Sequence, residues 1–230
     1  MSSVLEGVTL DLSELTVRDI NARLQAAADG ERFEILHPDG RHSIAAGLTA
    51  AIDVEVTGHA GYYCAGMNQR ATVHVAGTVA AGVAENMMSG RVVVDGNAAM
   101  AAGATAHGGM LVVGGNASTR CGISLKGADV VVRGSVGASC GFMAQSGRIV
   151  VCGDAAEGLG DSLYEARLFV RGSVAELGAD CIEKPMTDAH REELGALLVT
   201  AGLGDADPAD FRRYGSARQL YNIKVDRIDA

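Results

Sequence analysis

The sequence predicts an all-β fold: a right-handed parallel β-helix of seven 19-residue coils, preceded by a short α/β cap and followed by a helix and a tail. Three observations support this. Glycine recurs every 19 residues, aliphatic residues stand two apart before each of these glycines, and small or apolar residues recur at fixed positions after it. Such a period is typical of stacked repeats that bury their apolar faces against one another. The recurring residues, called the grid glycines below, are Gly58, Gly77, Gly96, Gly115, Gly134, Gly153 and Gly172.

Each coil contains one predicted β-strand that ends at its grid glycine. Aliphatic residues stand four and two positions before every grid glycine, as Val54 and Val56 do before Gly58. β-Branched residues that alternate in this way are typical of a strand with one buried face. We therefore expect seven short strands stacked in parallel, with each glycine ending a strand and allowing the chain to turn.

Two further zones of each coil are predicted to face the core. The position two after the grid glycine is always Ala or Val, and the position ten after it is mostly apolar. The position seven after it holds only Ala or Gly, so this side of the coil must be narrow. Three inward zones in 19 residues predict three faces per coil, with coils stacked about 4.8 Å apart. The unequal spacing of the zones and the rule for parallel crossovers favour a right-handed helix.

The N-terminal residues 1–51 are predicted to form a capping segment before the β-helix of residues 52–184. Thr16 begins a predicted helix that extends to Ala28, with Asp19 placed to complete a capping box. Glu31 to Leu36 then read as a strand. We expect this segment to cover one end of the rod and to protect its unpaired backbone groups.

The C-terminal residues 185–230 are predicted to form a helix and an extended tail. Thr187 to Ala201 read as an amphipathic helix that stops at Gly202, and we expect it to cover the other end of the rod. The tail, Phe211 to Ala230, is too mixed in polarity to form a core alone. It is predicted to act as a strap along the rod or across a partner.

Composition excludes several classes of function. The chain has 230 residues and a formal net charge of −9, so it lacks the basic balance that phosphate binding requires. Its N-terminus has no basic region followed by an apolar run, and no apolar stretch is long enough to span a bilayer. We therefore expect a cytoplasmic protein that binds neither nucleic acid nor membrane.

The potentially reactive residues do not form a predicted catalytic, cofactor-binding or metal site. Cys64, Cys121 and Cys140 all lie six positions after a grid glycine, in an apolar inward column, so we expect them to be buried and unreactive. No two cysteines form a C-x-x-C pair, and the six histidines share no metal-ligand spacing.

One outward column departs from the polarity expected of a surface. Three positions before the grid glycine, where side chains should point away from the core, five consecutive coils carry apolar residues. A soluble monomer does not normally expose such a patch, so either the chain's own termini or another subunit must cover it. The sequence favours the subunit interface. This apolar stripe consists of Val93, Val112, Val131, Val150 and Phe169.

Several stretches of the repeat resemble a known family. They read GHAGYYCAGM at 58–67, VAENMMSG at 83–90, RCGISLKG at 120–127, FMAQ at 142–145 and GDSLYEAR at 160–167, with CGD at 152–154 and LGADC at 177–181. Together they resemble the GXGXG domain at the C-terminal end of the glutamate synthase large subunit, a right-handed β-helix. The similarity is greatest to the stand-alone β-helix subunit of N-methylglutamate synthase, the methylamine–glutamate N-methyltransferase, and covers most of residues 40 to 200.

The resemblance implies a structural subunit of a three-subunit enzyme. One partner would be a glutamine amidotransferase-type subunit and the other a glutamate synthase-type subunit that carries FMN and an iron–sulfur cluster. The β-helix of this family packs the catalytic parts against each other and supplies no catalytic residue, so this chain is expected to bind no cofactor. Three alternatives remain: a subunit of a split glutamate synthase, a subunit of formylmethanofuran dehydrogenase, or a stand-alone β-helix enzyme acting on carbohydrate.

Overall fold

The computed structural model describes residues 7–218 and confirms a parallel β-solenoid. Nine strands, β1 to β9, stack in parallel in chain order, and two antiparallel strands complete the sheet in the order β9-β11-β10. The strands are β1 Val8–Asp11, β2 Arg32–Leu36, β3 Asp53–Thr57, β4 Thr72–Val75, β5 Arg91–Val94, β6 Met110–Val113, β7 Lys126–Val132, β8 Ser146–Val151, β9 Arg167–Val170, β10 Cys181–Lys184 and β11 Arg212–Ser216. The α-helices are α1 Val17–Gln25 and α2 Asp188–Thr200, and Pro208–Asp210 form one turn of 3-10 helix.

The 19-residue period sets the register of the sheet from β3 to β9. Val54 pairs with Val73 in the next coil, and Val150 pairs with Phe169 six coils into the repeat. Identical positions of successive coils therefore lie directly above one another, and their apolar side chains form one continuous core along the rod. A second ladder of single bridges joins the position two after each grid glycine, from Ala60 to Val174.

The N-terminal segment extends the same sheet, with α1 between its two strands. β1 pairs with β2 and β2 pairs with β3, so the boundary predicted at residue 51 falls within a continuous parallel ladder. The predicted strand is confirmed as β2, and the predicted helix as α1, with Thr16 and Asp19 in a capping box. The amide of Asn21 on α1 bonds the backbone of Ser43 and Ala45, which satisfies polar groups of the first coil.

The C-terminal end of the rod is closed by β11 and β10. Part of the predicted tail, residues 212–216, forms β11 and inserts between β9 and β10. Tyr214 of this strand is buried in the main core, so the tail contributes to the core after all. The remainder of the tail, from residue 219, lies outside the described residues.

Candidate interaction surface

The apolar stripe is covered by the chain's own C-terminal helix, which corrects the expectation of a subunit interface there. Leu194, Leu197 and Leu198 of α2 pack in one buried cluster with the stripe, and the four stripe residues on β6 to β9 are buried. α2 therefore lies across the outer face of the sheet, not over the end of the rod as predicted. The exception is Val93 on β5, which is half-buried at the C-terminal edge of the helix.

Polar contacts at both ends hold α2 against the sheet. Near its N-terminal half, Glu193 accepts hydrogen bonds from Arg148 at 3.0 Å and from Arg167 at 2.8 Å. At its C-terminal end, Arg91 donates to the carbonyl oxygen of Thr200 at 2.9 Å. A cation at the C-terminal end hydrogen-bonds a carbonyl oxygen that has no partner within the helix, and it interacts favourably with the helix dipole. Since α2 is bonded at both ends, the apolar stripe has an intramolecular partner.

The grid glycines are required because adjacent coils approach closely. A Cβ atom on Gly134 would lie 2.8 Å from the carbonyl oxygen of Gly115, and one on Gly153 would lie 2.7 Å from that of Gly134. The same glycines form a backbone ladder in which the Gly153 N–H donates to the Gly134 oxygen at 2.8 Å. Of the seven, Gly58 has a positive φ, of 133°. Close packing, and not left-handed backbone, therefore explains the other six.

A row of polar side chains beside the grid glycines was not recognised in the sequence. The residue after each of the first six grid glycines accepts a hydrogen bond from the corresponding backbone N–H of the next coil. The distance is 2.8 Å from Asn97 Oδ1 to the N–H of Asn116, and 2.7 Å from Asp154 Oδ1 to that of Ser173. The signal was the absence of aliphatic residues from this column. Its members are His59, Thr78, Asn97, Asn116, Ser135, Asp154 and Ser173.

The thiols are buried, as the sequence predicted for three of them. All five cysteines are free and buried. Burial raises the pKa of Cys64 to about 12 and that of Cys181 to about 11. A hydrogen bond to Cys121, together with burial, raises the pKa of Cys140 well above its usual value. Since the thiolate is the reactive form, these groups are poor nucleophiles and poor metal ligands.

Some of the titratable groups on the surface form cross-coil pairs. His74 lies between two carboxylates on the outer face of the sheet, with Nδ1 2.7 Å from Glu55 and Nε2 2.8 Å from Asp95. Burial lowers the pKa of His74, but the bonds to Asp95 and Glu55 outweigh it and leave the pKa raised. Within residues 7–218, no three His, Cys, Asp or Glu side chains are grouped to hold a metal ion.

The third side of each coil is built from left-handed backbone. We call this the turn side and define it as the positions four to eleven after each of the first six grid glycines, from residues 62–69 to residues 157–164. In each of these six coils the residues five, seven and nine positions after the glycine have positive φ; Tyr63, Ala65 and Met67 are at 59°, 53° and 55°. Because left-handed residues alternate along the turn side, this side of the coil is narrow. The residue seven positions after the glycine faces the core there, which explains why this position holds only Ala or Gly.

The turn side carries an exposed apolar surface that sequence reasoning missed. Five large apolar side chains of this side each leave between 40% and 57% of their surface exposed. Exposed methionines in such number are typical of protein-binding surfaces, because the flexible thioether adapts to a partner. The stretches that resemble GXGXG proteins largely coincide with this side. The methionine surface, as we call it, consists of Tyr62, Met67, Met88, Met100 and Met143.

A curated relative covers almost the entire chain. Protein GlxC of Rhizobium meliloti (strain 1021) is 54% identical over 224 residues, which are 96% of this chain and 98% of the relative. The chain belongs to the GlxC family. No model of a protein family matches the sequence, so membership in the GlxC family rests on this full-length similarity. Among residues 7–218 of this GlxC-family chain, no helix is long and apolar enough to cross a bilayer.

Proposed function

We propose that the chain is a non-catalytic structural subunit of a glutamate synthase-like enzyme with three subunits. The enzyme is an N-methylglutamate synthase, which forms N-methylglutamate and ammonia from methylamine and glutamate. The rod holds a glutamine amidotransferase-type subunit against a glutamate synthase-type subunit that carries FMN and an iron–sulfur cluster. The proposal combines the similarity of the motifs at 58–67, 120–127 and 160–167 with the geometry of the surface on which they lie.

The observation that carries the proposal is the exposed methionine surface on a continuously bonded rod. Every described coil from β1 to β9 is hydrogen-bonded to the next, so the side chains of the turn side are held at a fixed spacing. Four methionines and Tyr62 remain exposed there, whereas the apolar stripe on the sheet is covered by α2. A rigid surface with adaptable apolar side chains suits a subunit that binds others.

Several side chains that could carry acid–base or nucleophilic chemistry are instead buried or bonded within the fold, which also supports this role. Burial raises the pKa of Cys64 and Cys181, Glu193 accepts hydrogen bonds from Arg148 and Arg167, and His190 belongs to the capping box of α2. These groups stabilise the rod and its helix in the positions they occupy.

Reconstitution of activity from separate subunits tests the proposed function. The chain, the amidotransferase-type subunit and the flavin and iron–sulfur subunit would be purified singly and combined, and formation of N-methylglutamate would be measured. We expect no turnover from the chain alone and turnover from the mixture only when the chain is present. Turnover by the isolated chain, or full activity of the other two subunits without it, would contradict the proposal.

The same mixture identifies the amino donor. Methylamine and ammonia would be supplied in parallel reactions, and the products N-methylglutamate and glutamate would be quantified by mass spectrometry. The proposal predicts that methylamine is the preferred substrate. If the reconstituted mixture preferred ammonia, the chain would keep its structural role but would be a subunit of a split glutamate synthase.

A further inference from the structure

The centre of the methionine surface differs in charge from the rest of the chain. The chain carries a net charge of −9, yet three consecutive coils have no carboxylate on the turn side, over residues 100–107, 119–126 and 138–145. The coils on either side do carry carboxylates there, at Glu85 before them and at Glu157 and Asp161 after them. An uncharged or basic centre is therefore bordered by acidic coils.

Two cations lie in the middle coil of this centre. Arg120 and Lys126 are both exposed, and no ion pair or side-chain hydrogen bond joins either of them to another residue of the described 7–218. They stand on opposite edges of the turn side, with half-buried Ile123 between them. The next coil places Phe142 beside this group, since the N–H of Ser124 donates to the Phe142 carbonyl oxygen at 2.8 Å. The result is an apolar surface between two positive charges that have no ion pair within residues 7–218.

We propose that this centre binds a segment of a partner subunit in which carboxylates flank apolar side chains. The inference rests on the proposed function and specifies where a catalytic subunit contacts the rod. Apolar side chains of the segment pack on Ile123, Phe142 and the neighbouring methionines, while its carboxylates approach Arg120 and Lys126. Complementary charge steers association and fixes the register of binding, because the acidic coils at either end repel the same segment.

Zero-length cross-linking tests the carboxylate of the partner directly. A water-soluble carbodiimide activates a carboxylate, the Lys126 amine attacks the acyl carbon, and an amide forms as the reagent leaves as its urea. The chain has three lysines, Lys126, Lys184 and Lys224, so a cross-linked peptide identifies its lysine unambiguously. In the reconstituted complex we expect Lys126 joined to an Asp or Glu of a partner subunit, and Lys184 on β10 serves as the internal control.

Charge reversal provides the matching measurement of affinity. Arg120→Glu with Lys126→Glu is compared with Arg18→Glu and Arg41→Glu, which make the same change in net charge at two other exposed arginines that form no ion pair with another described residue. The dissociation constant of each variant from the two purified partner subunits would be measured by calorimetry, with thermal unfolding as a check on the fold. We expect the first pair to weaken binding about tenfold or more and the control pair to change it less than about twofold.

The outcomes separate this inference from the proposed function. Failure of the unaltered chain to join the partner subunits would remove the proposed function itself. A complex that forms normally, with both double variants bound equally and no cross-link at Lys126, would overturn the inference and leave the structural role in place. Cross-links from Lys126 only to a second copy of this chain would also overturn it, in favour of self-association.

Discussion

Val131→Ala tests whether the apolar stripe is covered from within the chain or by another subunit. Val131 is fully buried on β7, in the cluster that includes Leu194 and Leu198 of α2. The substitution removes two methyl groups, which are worth about 0.8 kcal/mol each, and leaves a cavity beneath the helix. We therefore expect the free energy of unfolding to fall by about 2–3 kcal/mol. For a chain of this length the melting temperature should fall by about 4–12 °C.

Two matched substitutions serve as controls for this prediction. Val93→Ala alters the half-buried end of the same stripe and should cost about 1 kcal/mol or less. Val199→Ala alters the exposed face of α2 and should change stability by no more than about 0.5 kcal/mol. Melting would be followed by circular dichroism on the isolated chains. A melting temperature for Val131→Ala equal to that of Val199→Ala, together with weakened assembly with partner subunits, would show that another subunit covers the stripe.

Three further predictions concern the rod itself. Gly153→Ala should reduce the free energy of unfolding by about 3 kcal/mol, because its Cβ would lie 2.7 Å from backbone atoms of Gly134, whereas Gly195→Ala in α2 should raise it by about 0.5–1 kcal/mol; urea unfolding of both variants would show opposite signs. Because the pKa of His74 is raised above 6.5, its ion pairs should stabilise the chain below pH 6.5 and lose this effect as pH rises through the folded pKa; equal pH dependence in His74→Gln would contradict this. The native thiols, including Cys64 with its pKa of about 12, should react slowly with an aromatic disulfide reagent and all five should react rapidly after unfolding; rapid labelling of the native chain would count against their burial.

The coil and its register could be predicted from the sequence because their causes are local and repeat. Equivalent side chains have equivalent neighbours in every coil. The period therefore predicts that Val54 pairs with Val73 and that each later strand pairs in the same register. The capping box predicted at Thr16 is equally local, since Asp19 is only three positions away. These features required no knowledge of distant contacts.

The position of α2 could not be predicted in the same way. Both the apolar stripe and the amphipathic helix were visible, but nothing local joins Val131 to Leu198, and a partner subunit would have covered the stripe equally well. β11 presents the same difficulty, because its insertion between β9 and β10 depends on long-range antiparallel pairing.

The methionine surface was missed for a geometric reason. Its members occupy three different positions of the repeat, as Met100, Met143 and Met88 stand four, nine and eleven residues after their grid glycines. No single column is therefore apolar throughout. The left-handed backbone of the turn side brings these positions onto one surface. Non-glycine residues such as Arg120 and Met143 also adopt this conformation. The methionine surface is therefore visible only in the three-dimensional path of the backbone.

Oxidation of the exposed methionines tests most directly whether the methionine surface binds a partner subunit. Peroxide converts an accessible thioether to the sulfoxide, and mass spectrometry measures the extent at each methionine. Met87 is fully buried beside exposed Met88 and provides an internal reference in both samples. We predict that Met67, Met88, Met100 and Met143 oxidise readily in the isolated chain and are protected in the assembled complex. Equal oxidation of all four in the isolated chain and in the complex would contradict the account.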